Sequence, residues 1–474
     1  MTPPITTDAD LRTASSPPAV PGVELPLIEW GNLALRAGRV GTNYPHMAWL
    51  QRFDGSVSID DLEAEARRIG TNPYAFGRRL KKSRFPGGRM RWTQVANVAP
   101  VEFNSEPVED WRAWVDSVLG RRLDPERDHG WAMLACETTD GDTIVLVLMH
   151  HLYGTARGIM DACFNSAEHD PLTGSTGFTF THEYDYSAFA ELRGIWDRIR
   201  LGFVGLGMAL RAIPIAIKKA RSAPKAAAPG LPTPLRAARG SDPTRKDLSP
   251  DRVYACYRAP AAEVEAAAAA FGGSSNTLLT AITANMLRRA RIARGGPVDR
   301  NLQLVIPMDI PEEQKRHKLA NIGKEPGTED LLITAALVLP GGAPAHTELG
   351  QTKARTKEAY IADSLTPTAM RGANDVARFF PERLTYFFAA KAATAFDGCA
   401  SNVGELPENF RFLGEHEAVE TEMIGFPIGN ELMSALTRSG GDIAMAFMTD
   451  PARMGDNTDL RQWLAEELAA WGIS

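Results

Sequence analysis

Thr143-Ile144-Val145-Leu146-Val147-Leu148-Met149-His150-His151-Leu152-Tyr153-Gly154-Thr155-Ala156-Arg157-Gly158 is the stretch on which the fold turns. From Ile144 to Met149 every residue is apolar. That predicts a strand buried on both faces, not one with a wet side. Upstream, Trp131 to Glu137 reads as a second strand, and Asp140-Gly141-Asp142 as the turn that makes the two a hairpin. The buried strand runs directly into His150-His151, and the small residues Gly154, Thr155, Ala156 and Gly158 follow. Histidines at the carboxyl end of a buried strand stand where α/β proteins build their sites. Imidazole titrates near neutral pH and can take a proton from a hydroxyl, amine or thiol. Glycine lets another backbone or a long ligand come close. The competing reading is a structural histidine pair packed in the core.

Working outward, Met47 to Asp54 reads as a strand and Ile59 to Ile69 as a helix opened by Ser58. Arg89 to Val95 is a further strand, and Glu109 to Leu119 a helix with Trp111, Trp114 and Val118 at helical spacing. These elements make a first lobe over residues 22–185, after a Pro-, Thr-, Ser- and Ala-rich leader at 1–21 that is expected to be disordered. The leader has no basic start followed by an apolar core, so it does not read as a signal peptide. Residues 186–248 read as a basic amphipathic segment and a linker. Within them, 198–225 carries seven cations and no acid, with apolar residues between. Arg211 and Pro214 interrupt that apolar run, so it suits an interfacial or docking helix better than a membrane span.

A second lobe is expected over 249–474. Its strands are read at Val253–Arg258, Leu302–Ile306, Leu331–Leu339, Glu417–Ile424, Glu431–Thr437 and Ile443–Met448. Its helices are read at Ala261–Ala270, Asn276–Ala293, Thr347–Ile361, Pro381–Ala393 and Leu460–Trp471. The interleaving predicts an α/β or α+β protein of two lobes with mixed sheets. A chain of 474 residues is also too long for one ordinary core. The net charge of -6 argues against a nucleic-acid partner, which calls for a basic excess. Cys136, Cys163, Cys256 and Cys399 lie far apart and form no CxxC pair. They signal neither a zinc site nor a disulfide framework, and they fit a reducing cytoplasm.

The segment from His150 to Ala156 resembles the HHxxxDG motif of condensation-type acyltransferases, and most of all that of bacterial wax ester synthase/diacylglycerol acyltransferases. Other segments agree in order. Phe53-Asp54-Gly55 with Ile59-Asp60-Asp61-Leu62, Asn72-Pro73 with Phe76-Gly77-Arg78-Arg79-Leu80, and Thr233-Pro234-Leu235 resemble family segments. So do Ser275-Asn276-Thr277, Val305-Ile306-Pro307-Met308, Ala320-Asn321-Ile322-Gly323 and Ser401-Asn402-Val403-Gly404. The family's Asp and Gly after the histidines are Thr155 and Ala156 here. Thr277 stands for a further Asp, and Asp309 and Ile310 replace polar residues at a strand end.

The resemblance implies two chloramphenicol-acetyltransferase-like lobes forming a V-shaped pseudo-dimer with a tunnel between them. It implies His151 as general base, His150 as a packing or orienting residue, and no metal or cofactor beyond a coenzyme A thioester as substrate. Tyr153, Gly154, Thr155 and Gly158 would shape the tunnel, with Asn276 and Asn402 either bordering it or capping local structure. Asp161 is a stand-in for the lost acid, or a surface carboxylate. The partners implied are acyl-CoA or an acyl carrier protein, and an alcohol or amine acceptor. Contact with a membrane through 198–225 is an option for a protein placed in the cytoplasm. The alternatives are ester or amide condensation with a carrier-bound donor, and a non-catalytic homologue that binds acyl ligands. His46, His129, His169, His182, His317, His346 and His416 are scattered and read as structural or solvated.

Overall fold

The computed structural model describes residues 25–26, 46–72, 75–81, 84–85, 91–154, 156–164, seven helical residues between 188 and 199, 249, 251–308, 333–347, 349–363, 396–427, 429–454 and 459–473. The leader, Thr155, the linker and all of 198–225 except Ile199 lie outside them, as do the motif segments at 233–235 and 320–323, Asp309, Ile310 and the helix expected at 381–393.

The first part of the chain gives β1 (Leu25–Pro26), β2 (His46–Phe53), α1 (Ile59–Thr71), β3 (Arg78–Lys81), β4 (Arg91–Gln94), β5 (Val101–Val108) and α2 (Trp111–Leu119). Then come β6 (Trp131–Thr138), β7 (Thr143–His150), a short 3-10 turn (His151–Tyr153) and α3 (Ala156–Phe164). The second part gives β8 (Val253–Pro260), α4 (Ala261–Ala270), α5 (Ser275–Ala293), β9 (Leu302–Met308), β10 (Ile333–Leu339) and α6 (Gly350–Asp363). It closes with β11 (Gly398–Glu405), β12 (Phe412–Leu413), β13 (His416–Gly425), β14 (Leu432–Ser439), β15 (Asp442–Thr449), α7 (Pro451–Met454) and α8 (Leu460–Ala470).

Two mixed six-stranded sheets organise these elements. One runs β12-β13-β2-β7-β6-β5, the other β10-β9-β11-β14-β15-β8; a small third sheet is β1-β4-β3. The hairpin read from the sequence is the β6–β7 pair, in antiparallel register from Trp131↔Met149 to Glu137↔Thr143. Every residue of β7 is buried. Val145, Val147 and Met149 enter one core, while Ile144, Leu146 and Leu148 enter another. The unbroken apolar run therefore has its expected cause, since side chains alternate between two covered faces. Ser58 caps α1 by accepting from Asp61 N–H, as its sequence position predicts.

The boundary read near residue 249 does not divide the sheets. β13 comes from the late part of the chain yet pairs antiparallel with β2 in the first sheet, from Gly425↔Met47 to Ala418↔Phe53. Its faces explain the placement. Met423 packs into the first core with Trp49, while Ile424 packs on the opposite side with Ala48 and Leu50.

That opposite side is the seam between the two sheets. Its cluster joins Leu50, Leu146 and Leu148 of the first sheet to Tyr254, Ala446 and Met448 of the second, beneath Val115 and Leu119 of α2. Asp116 clamps the seam. One carboxylate oxygen accepts from the Tyr254 backbone N–H at 2.8 Å, and the other meets Arg461 of α8 at 2.6 Å. The second sheet has its own core, built on α5 and α8 with Leu302, Leu304, Leu436 and Phe447. Among the described residues no helix is long and apolar enough to cross a membrane.

Candidate active site

His150 is the last residue of β7, and His151 opens the 3-10 turn beyond it. The His150 backbone N–H donates to Gly130 O at 2.9 Å, holding the strand end in the sheet. Its ring Nδ1 accepts the Leu152 backbone N–H at 3.2 Å. Nδ1 therefore carries no proton, and the geometry assigns the Nε2–H tautomer.

The residue across the sheet is His46, in register with His150. Their ring centroids lie 5.7 Å apart, edge to face, and Phe426 stands 5.6 Å from His46 on another side. Burial pushes the His46 imidazole down to about 3, a carbonyl contact from Leu123 opposes the shift, and Arg252 and Arg122 add to it. His46 is thus a neutral wall of the site. Sequence reasoning grouped it with the scattered histidines; only the register of β2 against β7 brings it here.

His151 keeps part of its surface open. Desolvation still lowers its pKa below the usual imidazole range, opposed by the carbonyls of His151 itself and of Gly154. The residue is neutral near pH 7, the state a proton acceptor needs. The turn is closed by Gly154 N–H donating to His151 O at 3.3 Å. Gly154 has φ 152° and ψ −172°, a region that only glycine occupies readily.

Tyr153 differs from its expected place at a tunnel floor. It is fully buried, with its ring in the aromatic core 5.1 Å from Phe76 and 4.9 Å from Trp92. Its hydroxyl donates to His129 O at 2.6 Å and accepts from Asn97 Nδ2 at 3.1 Å. Its carbonyl accepts from the buried Arg78 guanidinium, which also lies over the Trp92 ring at 5.0 Å. Burial lowers Arg78 to about 10, so it stays charged near neutral pH. Tyr153 fixes the turn instead of lining an opening, because an aromatic body with a bonded hydroxyl is most stable inside. Arg78, Asn97 and His129 are the residues that the sequence did not mark as part of this region.

Gly158 is buried in α3, whose Ile159, Met160, Cys163 and Phe164 sit in the first core. Asp161 lies in the same helix. α3 lies against β11, the strand that carries Asn402, so the helix after the histidines reaches the second sheet. Asn402 is exposed, and its Oδ1 accepts Gly404 N–H at 2.9 Å across a bulge in β11. That is the capping role. Asn276 is the second residue of α5, which packs on β11 and β14. Its Oδ1 is buried and accepts no hydrogen bond among the described residues. Asn276 thus has an unused acceptor, whereas Asn402 has spent its own.

Both sheets carry a hairpin whose second strand runs into a helical turn, yet their ends differ chemically. After β15 the chain continues into Asp450, which is fully buried and accepts from Ser249 Oγ at 2.8 Å and Ala452 N–H at 2.9 Å. A carboxylate so satisfied is structural. Of these two strand ends, that of β7 is the one followed by histidines. Among the described residues no group of three or more His, Cys, Asp or Glu side chains is placed to hold a metal.

No family model and no curated protein sequence matches the chain. Solved structures do. The wax ester synthase/diacylglycerol acyltransferase from Marinobacter aquaeolei VT8 aligns over 94% of this chain and 98% of its own, at 16% identity and a TM-score of 0.51. The nonribosomal peptide synthetase FmoA3, in its α-methyl-L-serine-AMP bound form, aligns over 97% of this chain and 46% of its own, at 14% identity and 0.52. A mutant starter condensation domain of rhizomide synthetase RzmA aligns over 95% and 93%, at 11% identity and 0.50. The chain has the mixed α/β fold shared by the wax ester synthase and condensation-domain structures.

Proposed function

We propose that this protein is an acyltransferase that moves an acyl group from a thioester to an alcohol acceptor, giving an ester lipid such as a wax ester or triacylglycerol, with His151 as general base. The observation that carries the reading is a part-exposed, neutral His151 set directly after a fully buried strand. A ring nitrogen of His151 takes the acceptor's hydroxyl proton as its oxygen attacks the thioester carbonyl carbon. The tetrahedral intermediate then collapses, the C–S bond breaks, and the proton passes to the departing thiolate. Both substrates are held together, so much of the rate gain comes from positioning. His150 and His46 are walls that orient the turn, and the unused Asn276 Oδ1 is an acceptor for a donor group on a substrate.

The acyl donor is acyl-CoA in this reading. Condensation from a carrier-bound donor to an alcohol or amine acceptor is the second reading, in line with the fold shared with a nonribosomal peptide synthetase and a condensation domain.

The test is thioester turnover by wild type and His151→Ala over acyl-CoA donors and alcohol acceptors, with acylated carrier proteins and amines as a parallel series. A fall of about 10²–10⁴-fold in His151→Ala, with circular dichroism unchanged, is expected. Equal turnover removes His151 as the base. Turnover only with carrier-bound donors supports the second reading. No turnover by wild type in either series points to a homologue that binds acyl ligands without catalysis.

A further inference from the structure

Asn97 stands between β4 and β5, outside every segment that resembles a family motif. It is 1% exposed. Its side-chain Nδ2 lies 2.9 Å from His129 O, 3.1 Å from Phe76 O, 3.3 Å from Arg78 O and 3.1 Å from the Tyr153 hydroxyl. The three carbonyls can only accept, and this fixes the amide. Nδ2 faces them, and Oδ1 takes the Nδ1–H of His129 at 3.0 Å. The backbone of Asn97 is held as well. Its N–H donates to Gly70 O at 2.8 Å, and its carbonyl accepts from Trp131 Nε1 at 2.9 Å. Gly70 leaves the room for this approach, since a Cβ there would fall 3.0 Å from Asn97 O.

These contacts bracket the histidine pair. His129 O, held by Asn97, also accepts from the Tyr153 hydroxyl at 2.6 Å. The next carbonyl, Gly130 O, accepts from His150 N–H at 2.9 Å. Tyr153 ends the 3-10 turn that His151 opens. One buried amide thus ties the loop before β6 to the turn after β7, and His150 and His151 lie between its two attachments. A buried amide must find hydrogen-bond partners, and any nearby backbone would satisfy it. Here the partners belong to the segments on either side of the histidines, and a buried network so filled holds a single arrangement.

We propose that Asn97 is a positioning residue for His151, its carboxamide setting where the imidazole stands and how much water reaches it. The effect on turnover rests on the reading of His151 as general base; the effect on the ring does not. The experiment therefore measures both. Isotope-labelled histidine reports the His151 ring by NMR, assigned by its loss in His151→Gln, and thioester turnover is followed over pH in the same proteins. In wild type the ring should titrate below the usual imidazole range, as its desolvation requires. Asn97→Leu keeps the shape of the side chain and removes its polar atoms. The ring should then titrate closer to the usual range, and kcat should fall about tenfold or more with KM within about twofold. Tyr153→Phe removes the hydroxyl that Asn97 holds, should move the ring in the same direction by less, and gives the answer if Asn97→Leu does not fold. Asn285→Leu is the control for lost stability. That buried amide joins Ala345 O to Glu467 in the second core, so its loss should leave the His151 ring titration as in wild type. An unchanged titration in Asn97→Leu and Tyr153→Phe, or an equal shift in Asn285→Leu, overturns the proposal. A ring that shifts in a protein whose wild type shows no turnover leaves Asn97 its role and removes the reaction proposed above.

Discussion

Glu422 is the place where the fold should respond most strongly to a single isosteric change. It lies on β13 opposite Leu50, is buried, and shares a strand face with Ile424 of the seam cluster. Its Oε1 accepts no hydrogen bond among the described residues. Burial pushes its carboxyl up to about 8 from 4.5, and Arg112 offsets only part of that. The folded state thus prefers the protonated acid. Stability from this group is fully present below pH 4.5 and is lost as pH rises through 8. At about 1.4 kcal/mol per pH unit, keeping the buried acid protonated costs roughly 4 kcal/mol near pH 7.5, and the loss levels off just above pH 8.

Glu422→Gln keeps the shape and removes the charge. We expect the two proteins to be within about 1 kcal/mol of each other near pH 4.5 and the variant to be several kcal/mol more stable near pH 7.5. Denaturant unfolding followed by circular dichroism, run for both across that range, measures the difference. Comparing the two cancels the other groups that titrate. Parallel pH curves, or a variant less stable than wild type near pH 7.5, would refute the reasoning that burial holds the charge off Glu422.

Tyr153→Phe should cost about 1–3 kcal/mol, because the Asn97 amide and the His129 carbonyl lose a buried partner; thermal unfolding measures it. Gly154→Ala should destabilise by about 1–3 kcal/mol through its strained backbone, and should depress turnover more than Ala substitutions on the exposed face of α1 do. Asn276→Ala should leave stability within about 1 kcal/mol, since its Oδ1 is already unpaired, and should raise KM for the thioester or acceptor more than it lowers kcat. The acid limb of the pH–rate profile should fall below the usual imidazole range, because desolvation holds His151 neutral; a limb at or above that range counts against it as the base.

What the sequence made legible was local. The run from Ile144 to Met149 could be read as a doubly buried strand because its two faces meet two different cores, and each residue answers to one of them. Ser58 could be read as a helix start because capping acts within three residues. Partner choice was not legible. Residues 417–424 have the pattern of a strand, but nothing in the pattern says that the strand leaves the second sheet for β2. His46 was missed for the same reason, since its meaning depends on a cross-strand register about a hundred residues away. The resemblance alone puts Tyr153 at the floor of a tunnel. The side chain instead turns inward, where Asn97 and Arg78 can satisfy its polar atoms.

Where the resemblance leads one to expect an acid the chain has Thr155, which bears on the proposed reaction only if an acid there is what holds His151 in place. In this fold the turn from His151 to Tyr153 is held from elsewhere. Arg78 on β3 takes the Tyr153 carbonyl, Asn97 after β4 and His129 before β6 take its hydroxyl, and His150 Nδ1 takes the Leu152 amide. Leu152 itself is buried in the first core. Each restraint comes from a residue earlier in the chain than His151, and none requires a carboxylate at position 155. A neutral residue there is therefore compatible with a fixed general base. Removing the Tyr153 hydroxyl releases two of these restraints at once, so Tyr153 is the position through which the turn carrying His151 is most directly loosened.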